Sequence, residues 1–328
     1  MGYNIQKEKN MTTKSVFLTI LFSAIAIAVS GALVILALAP EPYVPNSDTL
    51  NAEMVDETVD LSSMPTLVGG SVVQGDVETA EGAYYRTITA SADSGYTFGY
   101  WQNGTTKLCG DVSITLSSSS VDGLNNLVRA CTPVFVADAN VEEIADMTDF
   151  SGILIRDINN NTTEGKLYRL TADIANYSNI GSIGLPLGTF RGILDGNNHS
   201  IGNIYINGAG MFEALDGAVV KDIILNGSIN SNNPYSGGLC GSINNSLLSR
   251  CLSHFYVTNT ANNGCAGGLV GVCSAAASRS MMFSCGFYGT IRAKTADQMI
   301  GSNANFDASG VKTCAIFRPK YNGAIYEN

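Results

Sequence analysis

Two histidines, His199 and His254, are the only side chains here whose ordinary pKa suits general-base work near neutral pH. A hydrolase of the Ser-His-Asp kind needs such a ring buried beside a carboxylate and a nucleophile. His199 closes Asp195-Gly196-Asn197-Asn198-His199, which reads as a turn between extended segments. His254, three residues past Cys251, reads as a surface position. Paired carboxylates would be the alternative chemistry, for cleavage of glycosidic bonds. Acids of the second half such as Asp195, Glu213, Asp216, Asp222, Asp297 and Asp307 are scattered, with Glu213 and Asp216 the closest two of these. Calcium-loop, phosphate-loop and dinucleotide-binding patterns and the Cys-x-x-Cys spacing of zinc sites are all absent. The expectation is therefore a non-enzyme with no catalytic residue, cofactor or metal.

The eight cysteines begin at Cys109, which fits an oxidising exterior. Cys109 and Cys131 stand apart from the rest and are the candidate disulfide. Cys251, Cys285 and Cys314 recur at one phase of a repeat, where Ile223 fills the same place in the first unit. They read as stacked small hydrophobes, with cross-linking between neighbours left open because in-register parallel Cβ atoms sit wide for a bridge. Cys240, Cys265 and Cys273 lie near glycine turns and are unassigned.

That repeat is the organising feature of the chain. Its frames are Gly210-Met211-Phe212-Glu213, Gly238-Leu239-Cys240-Gly241, Gly268-Leu269-Val270-Gly271 and a decayed Gln298-Met299-Ile300-Gly301, spaced 28, 30 and 30 residues apart. A second frame, apolar-x-x-apolar, follows each: Val220 and Ile223, Leu248 and Cys251, Met282 and Cys285, Val311 and Cys314. Ile229, Val257 and Ile291 then come six residues after the Ile or Cys of their own unit. Such a period marks an array whose units cannot bury an apolar face alone and must stack. Short runs of Val, Ile, Leu, Phe and Tyr cut by Gly, Asn and Ser favour strands. Stacked strand rungs of this length give a parallel β-helix; a β-sandwich with Gly-rich turns is the rival. The pairs Gly237-Gly238 and Gly267-Gly268 would mark turns where coils approach closely or need positive φ, and Gly238, Gly241, Gly268 and Gly271 are the repeat's structural glycines.

The apolar run 15–39 contains no charge, follows Lys7, Lys9 and Lys14, and precedes Glu41 and Asp48. It is long enough for a transmembrane helix, with residues 1–14 as a cytoplasmic tail and the remainder outside. A cleaved signal peptide ending at Ala37-Leu38-Ala39 and a pilin-like leader are the alternatives. Residues 40–64, with Pro40, Pro42, Pro45 and many acids, read as a stalk. The net charge of −10 is concentrated in residues 41–150, with 17 acids against 3 bases, whereas residues 151–328 hold 10 against 12. That acidity disfavours nucleic acid as a partner.

From residue 65 short strands and turns appear: Gly69-Gly70, Tyr85 to Ala90, Gly95-Tyr96-Thr97-Phe98 before Trp101, Val112 to Leu116, and Arg129 to Val136, with a long loop from Ser117 to Asn126. Over residues 65–137 this order resembles a divergent internalin B-repeat, although Cys131-Thr132-Pro133-Val134-Phe135 departs from the closing strand of that family. Tyr96, Phe98 and Trp101 read as its core. Beyond it, Val141 to Met147 fits a short capping helix with Asn140 as N-cap.

Tyr168, Leu170, Asp173, Ile174, Phe190, Gly192, Asp195, Gly196, Asn197 and His199, with the Gly-Leu-x-Gly frames, resemble the GLUG-motif repeat proteins over residues 166–317, Leu194 standing where Phe is usual. The resemblance implies a right-handed β-helix, within a domain of residues 138–328, on an adhesin-like surface protein. The chain thus reads as all-β, a small β-module and a parallel β-helix behind a membrane anchor. Its ectodomain at the cell surface would bind extracellular polysaccharide or another cell. A self-associating structural envelope component and, behind it, a polysaccharide-degrading enzyme are the alternatives. Asn-x-Ser/Thr sites, among them Asn103, Asn161, Asn176, Asn198, Asn226 and Asn244, matter only in a glycosylating cell.

Overall fold

The computed structural model describes residues 26–29, 32–35, 66–175, 186–274, 279–302, 314–317, 319–321 and 323–327. The chain divides into two compact units that do not follow chain order: residues 1–64, 73–89 and 113–130 form one, and residues 65–72, 90–112 and 131–328 the other.

In the first unit, β1 (Ala26–Val29) and β2 (Ala32–Ile35) pair antiparallel. The expected transmembrane helix is not seen: its described residues are strands. Their β-branched Ile27, Val29, Val34 and Ile35, split by the turn-prone Ser30-Gly31 sequence, are compatible with hairpin pairing. The rest of residues 15–39, the tail and all of the stalk lie outside the described residues. Among those described, no helix is long and apolar enough to cross a membrane. The five-stranded sheet continues with β3 (Gly70–Ala80), β4 (Ala83–Ala92) and β7 (Ser113–Ser118) in the order β1-β2-β7-β4-β3. Facing hydroxyls tie Thr87 to Thr115 and Thr89 to Ser113, each at 2.8 Å.

The expected loop from Ser117 to Asn126 contains instead the start of α1 (Val121–Ala130). Leu124, Leu127 and Val128 recur at helical spacing and are buried, and Ser120 Oγ accepts from Gly123 N at 3.1 Å as a cap. Gly123 and the Asn125-Asn126 pair obscure that period in the sequence.

The second unit carries the three-stranded sheet β6-β5-β8, formed by β5 (Tyr96–Asn103), β6 (Thr106–Cys109) and β8 (Cys131–Ala137). Phe98 and Trp101 are buried, their rings 6.0 Å apart, with Phe135 edge-on to Phe98 at 6.2 Å. Core packing is thus their role. Gly70 is required beside them, because a Cβ there would lie 2.5 Å from the Phe135 ring.

The repeats form a parallel β-solenoid of about five turns. Its first ladder stacks Val141–Ile144, Leu167–Leu170, Ile193–Asp195, Val219–Lys221, Leu247–Ser249, Ser280–Phe283 and Cys314–Phe317. The second stacks Ser200–Asn207, Ile224–Ser231 and Leu252–Asn259, then the split rungs Gly286–Phe287 with Thr290–Ala293 and Lys320–Tyr321 with Ala324–Glu327. The third stacks Leu187–Phe190, Phe212–Asp216, Cys240–Asn244, Val270–Cys273 and Ile300–Ser302. A narrow fourth stacks Tyr235–Gly237, Cys265–Gly267 and Thr295–Asp297.

The repeat frames coincide with this register. Phe212, Cys240, Val270 and Ile300 are successive partners, and Met211, Leu239, Leu269 and Met299 are fully buried one residue before them. Val220, Leu248 and Met282 form one inward row, and Ile229, Val257 and Ile291 another. The glycines answer to close approach: a Cβ on Gly271 would sit 2.5 Å from Gly241 O, and one on Gly268 2.3 Å from Gln298 O.

One frame is corrected. Cys314 pairs with Ser280, so it does not follow Cys251 and Cys285; Ile316 pairs with Met282 and takes the row assigned to Val311. The step from Met282 to Ile316 is 34 residues, equal to that from Leu248 to Met282. Three residues past Ile316 stands Pro319, where earlier units have Cys, and this substitution hides the frame.

The capping helix is also corrected. Val141–Ile144 is a strand paired with Leu167–Leu170, because β-branched Val141 and Ile144 suit a rung edge. Helical structure starts at Met147, where the Asp146 carboxylate accepts from Thr148 N and Asp149 N at 2.7 and 3.0 Å. The segment continues to Asn159 and buries Phe150, Leu154 and Ile158 in the solenoid core. Burial alone would raise the Asp157 carboxyl, but bonds from Lys166 Nζ (2.7 Å), Tyr168 Oη (2.9 Å) and Arg156 (3.0 Å) outweigh it and hold the pKa below the usual range.

Two predictions follow from this packing. Gly271→Ala, by overfilling a contact between coils, lowers stability by about 1–3 kcal/mol in denaturant unfolding. Because the folded Asp157 pKa is depressed, its contribution is present above about pH 4 and fades as pH falls through the lower folded value. The parent therefore loses more melting temperature between about pH 5 and 3 than Asp157→Asn does.

Candidate functional surface

The outer side of the first ladder is closed. Ile193, Asp195, Val219, Lys221, Leu247, Ser249, Met281 and Phe283 are all buried, although only the alternate residues of each strand point into the core. The β6-β5-β8 sheet lies against them: a Cβ on Gly99 would be 2.8 Å from Ile193 Cδ1, and one on Gly110 3.1 Å from Lys221 Cδ. Lys221 Nζ donates to Gly99 O and Gly110 O, both at 3.3 Å, lies 3.7 Å from Asp195 Oδ2, and sits 5.6 Å from the Phe98 ring centre. Arg250 holds the same seam, pairing with Asp222 at 2.7 Å and with Asp111. Burial opposes its charge, but the two carboxylates outweigh that and raise its pKa.

The sequence candidates for chemistry stay apart. His199 Nδ1 lies 3.5 Å from Asp173 Oδ1 at the surface. Asp173 also accepts from Ser200 N at 2.7 Å, which lowers its pKa. Asp216 is held by Arg191 Nε at 3.2 Å and Asn244 Nδ2 at 2.8 Å, whereas Glu213 is exposed. Among the described residues no group of acids, cysteines or histidines has metal-binding geometry.

No disulfide joins any of the eight cysteines in this structure, and only Cys265 is even partly exposed. Cys109 lies opposite Trp101 and Cys131 opposite Asn103, so the candidate disulfide pair occupies the two strands flanking β5. Burial pushes both thiols up to about 12. Cys251 is raised by burial and by its neighbour Cys285, and its Sγ donates to Val220 O at 3.3 Å. Cys314 meets Cys273, whose hydrogen bond raises its pKa, followed by burial.

Among the described residues, the second ladder is open on its outer side. Its inward side chains Ile204, Ile206, Ile229, Phe255, Val257, Phe287 and Ile291 are at most 1% exposed. Strict alternation therefore sends the intervening residues outward. They form three rows along the solenoid axis. Asn226, His254 and Tyr288 make the first, with the last two rings stacked at 5.3 Å and 17°. Tyr205, Ser228, Tyr256 and Thr290 make the second. Asn207, Asn230, Thr258, Arg292 and Tyr326 make the third.

Tyr205, Tyr256 and Tyr326 are 44%, 43% and 52% exposed, high for large aromatic side chains. Tyr205 and Tyr256 stand two rungs apart, roughly 9.5 Å at the usual strand spacing. Asn230 Nδ2 donates to Tyr205 Oη at 3.0 Å, which fixes that ring, and Arg292 rests 5.5 Å from the centre of the Tyr326 ring. Flat faces for stacking thus alternate with amide and hydroxyl groups on a rigid sheet. Sequence reasoning passed over this surface because Tyr205 and Tyr256 belong to units separated by one carrying Ser228. The available signal was the outward phase of each alternating strand.

The chain is a β-solenoid by its fold, and comparison with known protein families, curated proteins and solved structures gives no match. The thiol geometry carries a prediction for the reduced chain. Cys265 is alkylated first by iodoacetamide, and the other seven react only on unfolding, as mass spectrometry of labelled peptides would read.

Proposed function

We propose that this is an adhesin-like, membrane-anchored surface protein whose solenoid binds extracellular polysaccharide through the outer face of the second ladder. The supporting observation is the alternation of exposed Tyr205, Tyr256 and His254, the last stacked on part-exposed Tyr288, with Asn, Ser and Thr on an otherwise regular sheet. Aromatic faces stack on the apolar faces of sugar rings, and fixed amides and hydroxyls hydrogen-bond the ring substituents. Repetition along the axis adds weak contacts into useful avidity. In this reading residues 15–39 are the anchor, the chain beyond them is extracellular, and the solenoid is a right-handed GLUG-type β-helix behind an internalin B-repeat-like module. It assigns the protein no catalysis.

The test is binding of the full chain, reconstituted in lipid nanodiscs, to a panel of immobilised polysaccharides. Replacing Tyr205 and Tyr256 together by Ala is expected to weaken binding about tenfold, from two lost stacking contacts of about 0.5–1.5 kcal/mol each. Glu213→Gln, on the third ladder, is expected to leave it unchanged. Unaltered binding by the Tyr double variant would move the site elsewhere. Ordered lateral assembly of the parent without any polymer bound would favour a structural envelope component.

A further inference from the structure

The second-ladder face differs in charge from the rest of the chain. The protein carries a net charge of −10, yet none of the described outward side chains in the three rows is a carboxylate. The cations there are Arg292 in the third row, with exposed Lys294 just past its strand and exposed Lys320 on the next rung. On the closed first ladder the opposite rule holds, because Lys221 faces Asp195 and Arg250 faces Asp222 and Asp111.

Arg292 is also preorganised. Its guanidinium lies over the Tyr326 ring, which limits its rotamers while leaving the planar fork of donors at the surface. A fork of that kind binds carboxylate or sulfate oxygens through two parallel hydrogen bonds. Thr258 precedes Arg292 in the same row, and Tyr256 with Thr290 runs beside it. A chain laid along the axis would stack on Tyr205 and Tyr256 and bring a substituent over Arg292.

Resting on the polymer-binding reading above, we propose that the ligand is an acidic polysaccharide lying parallel to the solenoid axis. Its anionic groups are received at the Arg292–Tyr326 end of the face. Uncharged sugar rings occupy the Tyr205–Tyr256 row.

The experiment compares three soluble polymers of similar length against the full chain in nanodiscs: polygalacturonate, dextran sulfate and uncharged dextran. Polygalacturonate or dextran sulfate is expected to bind at least tenfold more tightly than dextran, and whichever does so identifies the acidic group as carboxylate or sulfate. Arg292→Gln is expected to remove roughly tenfold of that preference, the loss of one charge-assisted contact. Arg292→Lys should restore only part of it, since Lys keeps the charge without the fork. Tyr256→Ala should weaken binding without changing the preference. Arg292 is exposed, and an unchanged melting temperature confirms that its variants remain folded. Dextran binding as tightly as the acidic polymers, or a preference untouched in Arg292→Gln, overturns the acidic ligand while leaving polymer binding in place. Failure of all three polymers to bind overturns the acidic ligand, and failure across the wider panel as well removes the function it rests on.

Discussion

In-register stacking of apolar side chains between successive coils is the constraint on which the solenoid depends. A single coil has no interior of its own, so its apolar residues leave water only when a second coil supplies the facing surface. The row Tyr168, Leu194, Val220, Leu248 and Met282 runs through five rungs, each residue fully buried. Backbone hydrogen bonds between parallel rungs hold that row at one strand spacing, and the row in turn fixes the register. A slip by one residue would send Val220 outward and Lys221 inward. The segment Met147–Asn159 closes the end of this stack with Phe150, Leu154 and Ile158.

The same constraint explains what the sequence could disclose. Inward rows repeat because each position sees the same environment in every coil, so Met211, Leu239, Leu269 and Met299 announce their alignment by chemistry alone. Glycines repeat where backbones of adjacent coils nearly touch, as Gly241 and Gly271 do. Where a unit departs from its neighbours, local spacing misleads. Val311 and Cys314 imitate the expected frame, while the row that pairs with Met282 contains Ile316. The helix Val121–Ala130 was hidden for a related reason, since ten residues containing Gly123 and two asparagines carry too little period to stand against a loop. Val141–Ile144 reads locally as a helix but serves as a rung because Leu167–Leu170 offers it an edge.

Contacts distant in sequence were beyond such reading. Nothing near Lys221 signals that Gly99 and Gly110, more than a hundred residues earlier, supply its acceptors. A lysine buried in this way is stable only with its charge matched, and Asp195, itself close to Arg169, provides the match. The phenylalanine beneath the ammonium and the two carbonyls complete its surroundings. The turn at Asp195 to His199 therefore begins with a carboxylate that works for the interior.

Covering one ladder changes the meaning of the others. Outward residues of the first ladder obey the sheet that lies on them, which accounts for buried Ser249, Met281 and Phe283 at positions that would otherwise be wet. Among the described residues the second ladder carries no comparable cover, so neither coil stacking nor sheet packing there dictates its outward chemistry. Polar residues of any kind would keep that face soluble, and the acids common elsewhere in the chain would do so at least cost to strand pairing only if spaced apart. Its aromatic and amide composition, with Arg292 held against Tyr326, has no counterpart among the requirements of the fold. Residues that folding does not require are those on which a binding reading can rest, and here they share one face, three adjacent rows and one axis.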